Sequence, residues 1–155
     1  MSRPLADELR SLVSSARAGL FALSDAEVDA SRGDDAWTKR QILGHLIDST
    51  AANHQRFVRA QFEEELHFPS YDAPAWVIVE RYDLAPWTLL VEVWVSYAQL
   101  LAHILDVMPE EQLATACWVD WYGDPKAISL REVAEAYFDH VMHHLAQLLP
   151  GPFVR

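Results

Sequence analysis

Four segments of this chain repeat apolar residues at three- and four-residue spacing, each bounded by a proline, a glycine or a capping sequence, and that pattern admits little besides a helical bundle. The first runs from about Leu5 to Leu23, with Leu9, Leu12, Val13, Ala16 and Leu20 in step. The second begins near Trp37, where Thr38-Lys39-Arg40-Gln41 fits a capping box, and extends to about Glu64. The third follows Pro86 and continues to Met108, where Pro109 stops it. The fourth opens on a second capping box, Ser129-Leu130-Arg131-Glu132, and ends at Pro150-Gly151. No alternating strand pattern, internal repeat or low-complexity tract is visible. The expected fold is therefore all-α, a four-helix bundle forming a single domain over residues 1–155. Two connections are long and aromatic, Glu65 to Ala85 with FPSYDAPAW and Pro109 to Ile128 with ACWVDWYGDP. Such segments either cover the open end of a bundle or shape the mouth of a pocket.

Composition narrows the partners. The 155 residues carry a formal net charge of -11 with only 12 basic side chains, so the surface repels phosphate backbones and anionic lipid. Nucleic acid is excluded as a partner on this ground. No apolar run approaches the roughly 20 residues that cross a bilayer, and MSRPLADELR lacks the apolar core of a secretory leader. The single cysteine, Cys117, fits a reducing cytoplasm. The expectation is a soluble cytoplasmic protein.

Histidines carry the chemistry. Three of the seven lie within FDHVMHHLAQLL, residues 138–149. On a helical wheel the core stripe of the fourth segment holds Val133, Ala134, Tyr137, Val141, Leu145 and Leu148. His144 falls about 40° and His140 about 80° from its centre on the same side, and His143 about 140° away. Two imidazoles spaced i, i+4 can converge on one cation without distorting the helix. Chance alone gives about 0.3 such pairs in a chain of this composition, so a third ligand has to be found. The second segment offers one: His45, Ser49, Asn53 and Arg56 form a polar stripe through an apolar face. Burying these groups costs several kcal/mol unless each finds a partner, so the stripe lines a cavity, binds something, or forms an internal hydrogen-bonded network. His54 points about 120° away with Leu43, Ile47 and Val58, a second packing surface.

The runs AWTKRQILGHLIDSTAANHQRF, FPSYDAPAWV and LREVAEAYFDHVMHHLAQLL resemble the DinB-like (damage-inducible, YfiT-related) family of bacterial proteins. The resemblance covers Trp37 to Leu149, and GHL and H-x-x-H-H-L-x-Q are its most specific elements. It implies a bundle of up-down-down-up order, a homodimer, and a divalent metal ion held by three histidines. In that pattern the GHL histidine corresponds to His45 and the final HxxxH to His140 and His144, the residues that the wheel also selects. Zinc or nickel is the expected ion, with iron also suited to imidazole ligands. Some members of the family transfer low-molecular-weight thiols such as bacillithiol, mycothiol or glutathione to electrophiles, while others are described only as metal-dependent hydrolases.

The expectation is a metal-binding protein that activates a small thiol for attack on a small electrophile; a metal-dependent hydrolase and a non-catalytic stress protein that binds metal or a small ligand are the alternatives. Asn53 and Arg56 are the candidates to hydrogen-bond substrate, unless they serve an internal network. Gln147 is placed to orient a histidine ligand. Cys117, beside Trp118, reads as an inert buried thiol rather than a ligand or nucleophile. A di-iron site is excluded, because Glu64-x-x-His67 is the single Glu-x-x-His element and lies at a frayed end. Trp94, Tyr97 and Leu101 read as core, and His103 as structural or exposed. The second apolar stripe on the His45 segment supports the homodimer.

Overall fold

The computed structural model describes residues 3–153, so residues 1, 2, 154 and 155 of the expected domain lie outside the described residues. Four long helices form as their periodicity dictates: α1 (Arg3–Ala22), α3 (Lys39–Arg59), α5 (Trp87–Val107) and α6 (Leu130–Leu148). Two short ones, α2 (Asp25–Asp29) and α4 (Ala73–Glu80), fill connections. Thr38 with Gln41 and Ser129 with Glu132 make the expected reciprocal caps, and Ser24 with Glu27 makes a third that starts α2. α3 stops at Arg59, short of the expected Glu64, because Glu65 already belongs to a strand.

Hydrogen bonds between helices fix their directions. Arg10 in the first half of α1 pairs with Asp106 at the end of α5 (3.0 Å), and the Trp87 indole at the start of α5 donates to the Leu20 carbonyl near the end of α1 (2.7 Å). α1 and α5 are therefore antiparallel. Arg40 donates to the Ala85 carbonyl just before α5 (2.5 Å), while His54 meets Tyr97 a few turns on (2.8 Å). These two helices run parallel. Lys39 reaches the Leu148 carbonyl (2.8 Å) and Thr50 the Tyr137 hydroxyl (2.9 Å), so α6 is antiparallel to α3. Taken in chain order the long helices run up, down, down, up. A parallel α3–α5 pair cannot be joined by a tight turn, which is why the segment between them is long.

That segment and its counterpart before α6, expected as long aromatic loops, also carry strands. A three-stranded sheet unites them: β1 (Glu65–His67) lies parallel to β2 (Ala116–Val119), which pairs antiparallel with β3 (Lys126–Ser129). Strands of three and four residues are too short to display a period-two pattern, and this is why the sequence hid them. Leu66 and Cys117, register partners, are both buried beneath the sheet.

The core runs continuously between the long helices, with Trp94, Phe57 and Phe138 as its largest fully buried side chains. α5 corrects one sequence expectation: it is long and apolar enough to cross a membrane by length and composition. Nine of its residues, Trp94 and Leu101 among them, are buried, and the helix packs on α1 and α3, as the core helix of a bundle does. The second apolar stripe of α3 is also largely used within the chain, with Leu43 fully buried and His54 set against Tyr97, although Val58 stays exposed.

Candidate metal centre

His45 stands one turn and a half into α3, and the antiparallel α6 brings His140 and His144 opposite it. The His45 and His140 Nε2 atoms are 2.9 Å apart, and those of His144 and His140 3.1 Å. Ligand nitrogens of all three rings lie within 4.8 Å of one another. The rings meet edge-on, at interplanar angles of 80° to 87°, so their nitrogens converge where stacked rings would turn them apart.

The arrangement fits a cation. Imidazoles bound at 2.0–2.1 Å in a tetrahedral shell hold their nitrogens about 3.3 Å apart, a few tenths of an ångström wider than here. The outer nitrogens are set for the same purpose. His144 Nδ1 lies 2.7 Å from Gln147 Oε1, and donating its proton there leaves the Nε2 lone pair facing inward. His140 Nδ1 faces the Ser49 hydroxyl at 3.2 Å and can do the same. His45 Nδ1 is buried without a partner, while the Trp37 ring covers that side at 5.0 Å. Burial, then repulsion among the rings, holds His140 down to about 3 and His45, beside His144, to about 4. Burial lowers His144 as well. The rings are neutral at pH 7, the form in which imidazole binds metal.

A cavity of about 360 Å³ opens beside His45 and His140. The polar stripe of α3 forms one wall through Ser49, Asn53 and Arg56, and Tyr71 and Trp121 face it from the two connecting segments. Burial pushes the Tyr71 hydroxyl up to about 12, so it stays a hydrogen-bond donor. No carboxylate lines the cavity among the described residues. Asn53 is engaged internally, its amide donating to the Ser49 carbonyl (2.9 Å) and its Oδ1 accepting from Arg56 (3.3 Å). The other candidates lie elsewhere. His143 is exposed and outside the converging group, though its ring is 4.9 Å from that of His144. His103 is exposed, and His67 sits on β1, stacked on Trp118. Cys117 is buried in β2 with its thiol pushed up to about 11 by desolvation, hence protonated and inert.

Sequence reasoning named Gly44 only as part of GHL, without a role, and missed Asp48 and Tyr82. A β-carbon on Gly44 would lie 2.2 Å from the Tyr82 ring, so only glycine lets the segment after α4 settle on α3 beside His45. The Tyr82 hydroxyl then donates to Asp48 Oδ1 (2.6 Å). A glycine inside an otherwise helical pattern was the available signal. Tyr71 and Trp121 were signalled only as members of the two aromatic connections, and Trp37 carried no signal beyond being aromatic.

A family model described as the DinB superfamily matches residues 7–148. The “Putative metal-dependent hydrolase” of Bacillus pumilus is 27% identical over 142 residues, 92% of this chain and 79% of that protein. The “Putative metal-dependent hydrolase YfiT” of Bacillus subtilis is 27% identical over 131 residues, 81% of this chain and 70% of its own length. The solved structure of YfiT from Bacillus subtilis, described as an unusual four-helix bundle topology, superposes with a TM-score of 0.83 at 20% identity, covering 95% of this chain and 83% of that one.

Proposed function

The chain belongs to the DinB superfamily, and on that premise we propose that it is a metal-dependent hydrolase of small organic molecules, with His45, His140 and His144 holding a divalent cation, zinc or nickel before iron. The convergence of three neutral imidazoles on one point at the edge of a cavity carries this reading. When bound there, a divalent cation supplies Lewis acidity, which lowers the pKa of a water or thiol and polarises a carbonyl.

The chain's own residues supply the rest. Gln147 and Ser49 hold His144 and His140 in the tautomer that turns Nε2 inward. Tyr71 offers a proton-bearing hydroxyl to a substrate oxygen, and Trp37 shields the His45 ring from water. Because no carboxylate lines the cavity among the described residues, none of them is placed as a carboxylate general base, and activation of the nucleophile rests on electrostatics. Room favours hydrolysis over thiol transfer: about 360 Å³ is at the small end of ligand pockets and suits one organic molecule with water better than a thiol and an electrophile together. Transfer from a small thiol is the second reading, supported by ligands that carry no charge and leave the cation's full charge to hold a thiolate.

Metal analysis of the purified protein, followed by a panel of chromogenic esters and amides with and without low-molecular-weight thiols, tests both. Turnover that needs metal and no thiol is the expected result. Turnover only with a thiol selects the second reading, and a protein that binds no metal overturns both.

A further inference from the structure

Two arginines of α3 are buried, and the chain treats them in opposite ways. Arg40, 5% exposed, is partnered at all three nitrogens: Nε bonds Asp29 at 2.7 Å, Nη2 bonds Asp25 at 3.0 Å, and Nη1 reaches the Ala85 carbonyl. That is how this chain satisfies an arginine whose work is structural. Arg56, 7% exposed, has no carboxylate within ion-pair distance among the described residues. Among the described residues its one hydrogen bond is Nη1 to Asn53 Oδ1 at 3.3 Å, although a guanidinium carries five N–H donors. Asp120 acts on it only weakly and from beyond ion-pair distance, and it is exposed and takes the Ser70 hydroxyl.

The guanidinium is also held rigid. Its carbon lies 4.9 Å over the Phe68 ring and 5.4 Å from the Trp121 ring, flanked by both connecting segments. Asn53, itself anchored on the Ser49 carbonyl, fixes one edge, and the residue lines the cavity it shares with His45 and His140. A cation removed from water without a counter-ion is costly, and burial does lower the Arg56 pKa. A flat, preorganised fork facing a cavity fits a carboxylate in bidentate fashion.

We infer that Arg56 is the specificity-determining residue of the cavity and that the substrate is a small organic carboxylate, its anionic end seated on this guanidinium between Phe68 and Trp121. A monoanion is favoured because Arg56 is the lone cation among the described lining residues, the two histidine rings being neutral. Asn53 serves as a positioning residue. Helical rise puts the Asn53-braced end of the stripe roughly 12 Å from His45, so the carboxylate and the bond attacked lie at opposite ends of the molecule. The inference rests on the reading that substrate occupies this cavity.

Binding of 4-phenylbutyrate and of its uncharged amide, measured by calorimetry on the wild-type protein, R56K, R56Q and H45A, is the test. The wild type is expected to prefer the carboxylate at least tenfold. R56Q abolishes that preference, R56K weakens it by losing the fork, and H45A, stripped of metal, retains it. Equal affinity for acid and amide in the wild type, or no measurable binding of the acid at millimolar concentration, overturns the inference without needing any variant to fold. A preference that survives in R56Q and vanishes in H45A also overturns it, assigning the carboxylate to the metal and leaving the metal centre intact. A preference that depends on Arg56 in a protein devoid of metal-dependent turnover upholds it and removes the hydrolase.

Discussion

His140 is the hinge of the cluster, since its Nε2 is the atom that both other rings approach. His45→Ala or His140→Ala is expected to lose stoichiometric metal while His143→Ala and His54→Ala keep it, because the first pair face the common point and the second pair face solvent and Tyr97. Elemental analysis of the four variants decides it, and metal retained in His45→Ala overturns the assignment. The same rings set an acid limit on stability. Folded His140 and His45 resist protonation until about 3 and about 4, whereas in the unfolded chain they take up protons from about pH 6.5 downward. Protons therefore favour the unfolded state, and the stability these rings contribute is complete above about pH 6.5 and lost as the pH falls toward 4. In urea titrations of metal-free protein the midpoint should drop between pH 7 and 4.5, and drop less in His140→Ala; equal losses in the two proteins would refute the mechanism. The inward placing of His45 and His144, with His140 beside them, was legible in the sequence because helical spacing sorts inward from outward residues, while their reading as a ligand set came from the family resemblance. The individual positions of Trp37, Tyr71 and Trp121 were not legible, even though the two aromatic connections were read as either a bundle cover or a pocket mouth, because no periodicity constrains where an irregular segment lays an aromatic ring.

Helix α3 carries most of the site on one face and receives the incoming chain on another. Gly44→Ala would gain helix propensity, yet the added carbon would meet the Tyr82 ring, so the ring must leave its seat and its bond to Asp48. Overpacking of this kind costs about 1–3 kcal/mol, more than the roughly 1 kcal/mol that alanine returns over glycine, and denaturant unfolding should show a net loss. Asp48 invites the opposite change. Burial, with Glu80 close by, pushes its carboxyl up to about 7, and its Oδ2 has no hydrogen-bond partner. A raised carboxyl favours the protonated fold, so its contribution is present at acid pH and is lost as the pH climbs from about 4 through 7. Asp48→Asn keeps an acceptor for Tyr82 without the buried charge, and should be more stable than wild type at pH 8, with the advantage disappearing near pH 4. A destabilised Asp48→Asn at pH 8 would show the carboxylate to be needed as such. The long helices and two of the three reciprocal caps could be read from sequence, since each is a local pattern. The sheet depends on Leu66, Cys117 and Ile128 meeting from distant parts of the chain, and no local pattern in so few residues announces that.

At the scale of the whole molecule, the three histidines join helices that are far apart in sequence, α3 through His45 and α6 through His140 and His144. Other polar ties between these helices include Lys39 to Leu148 and Thr50 to Tyr137. A cation shared by the three rings acts as a clip on the folded state, and the unfolded chain offers no preformed equivalent. Ligand binding to the native state alone stabilises it by about 2.7 kcal/mol at a hundredfold excess over Kd, and for a chain of this size each kcal/mol moves Tm by about 2–4 °C. Zinc or nickel should thus raise Tm by roughly 5–10 °C in the wild type. His45→Ala removes one jaw of the clip and should lose nearly all of the rise, whereas Arg56→Gln leaves all three rings in place and should keep it, even if its baseline Tm changes. Scanning calorimetry with and without metal separates these cases. An equal rise in His45→Ala would locate the ion away from the junction of α3 and α6, and no rise in the wild type would mean that the cluster grips nothing tightly enough to serve as a catalytic centre.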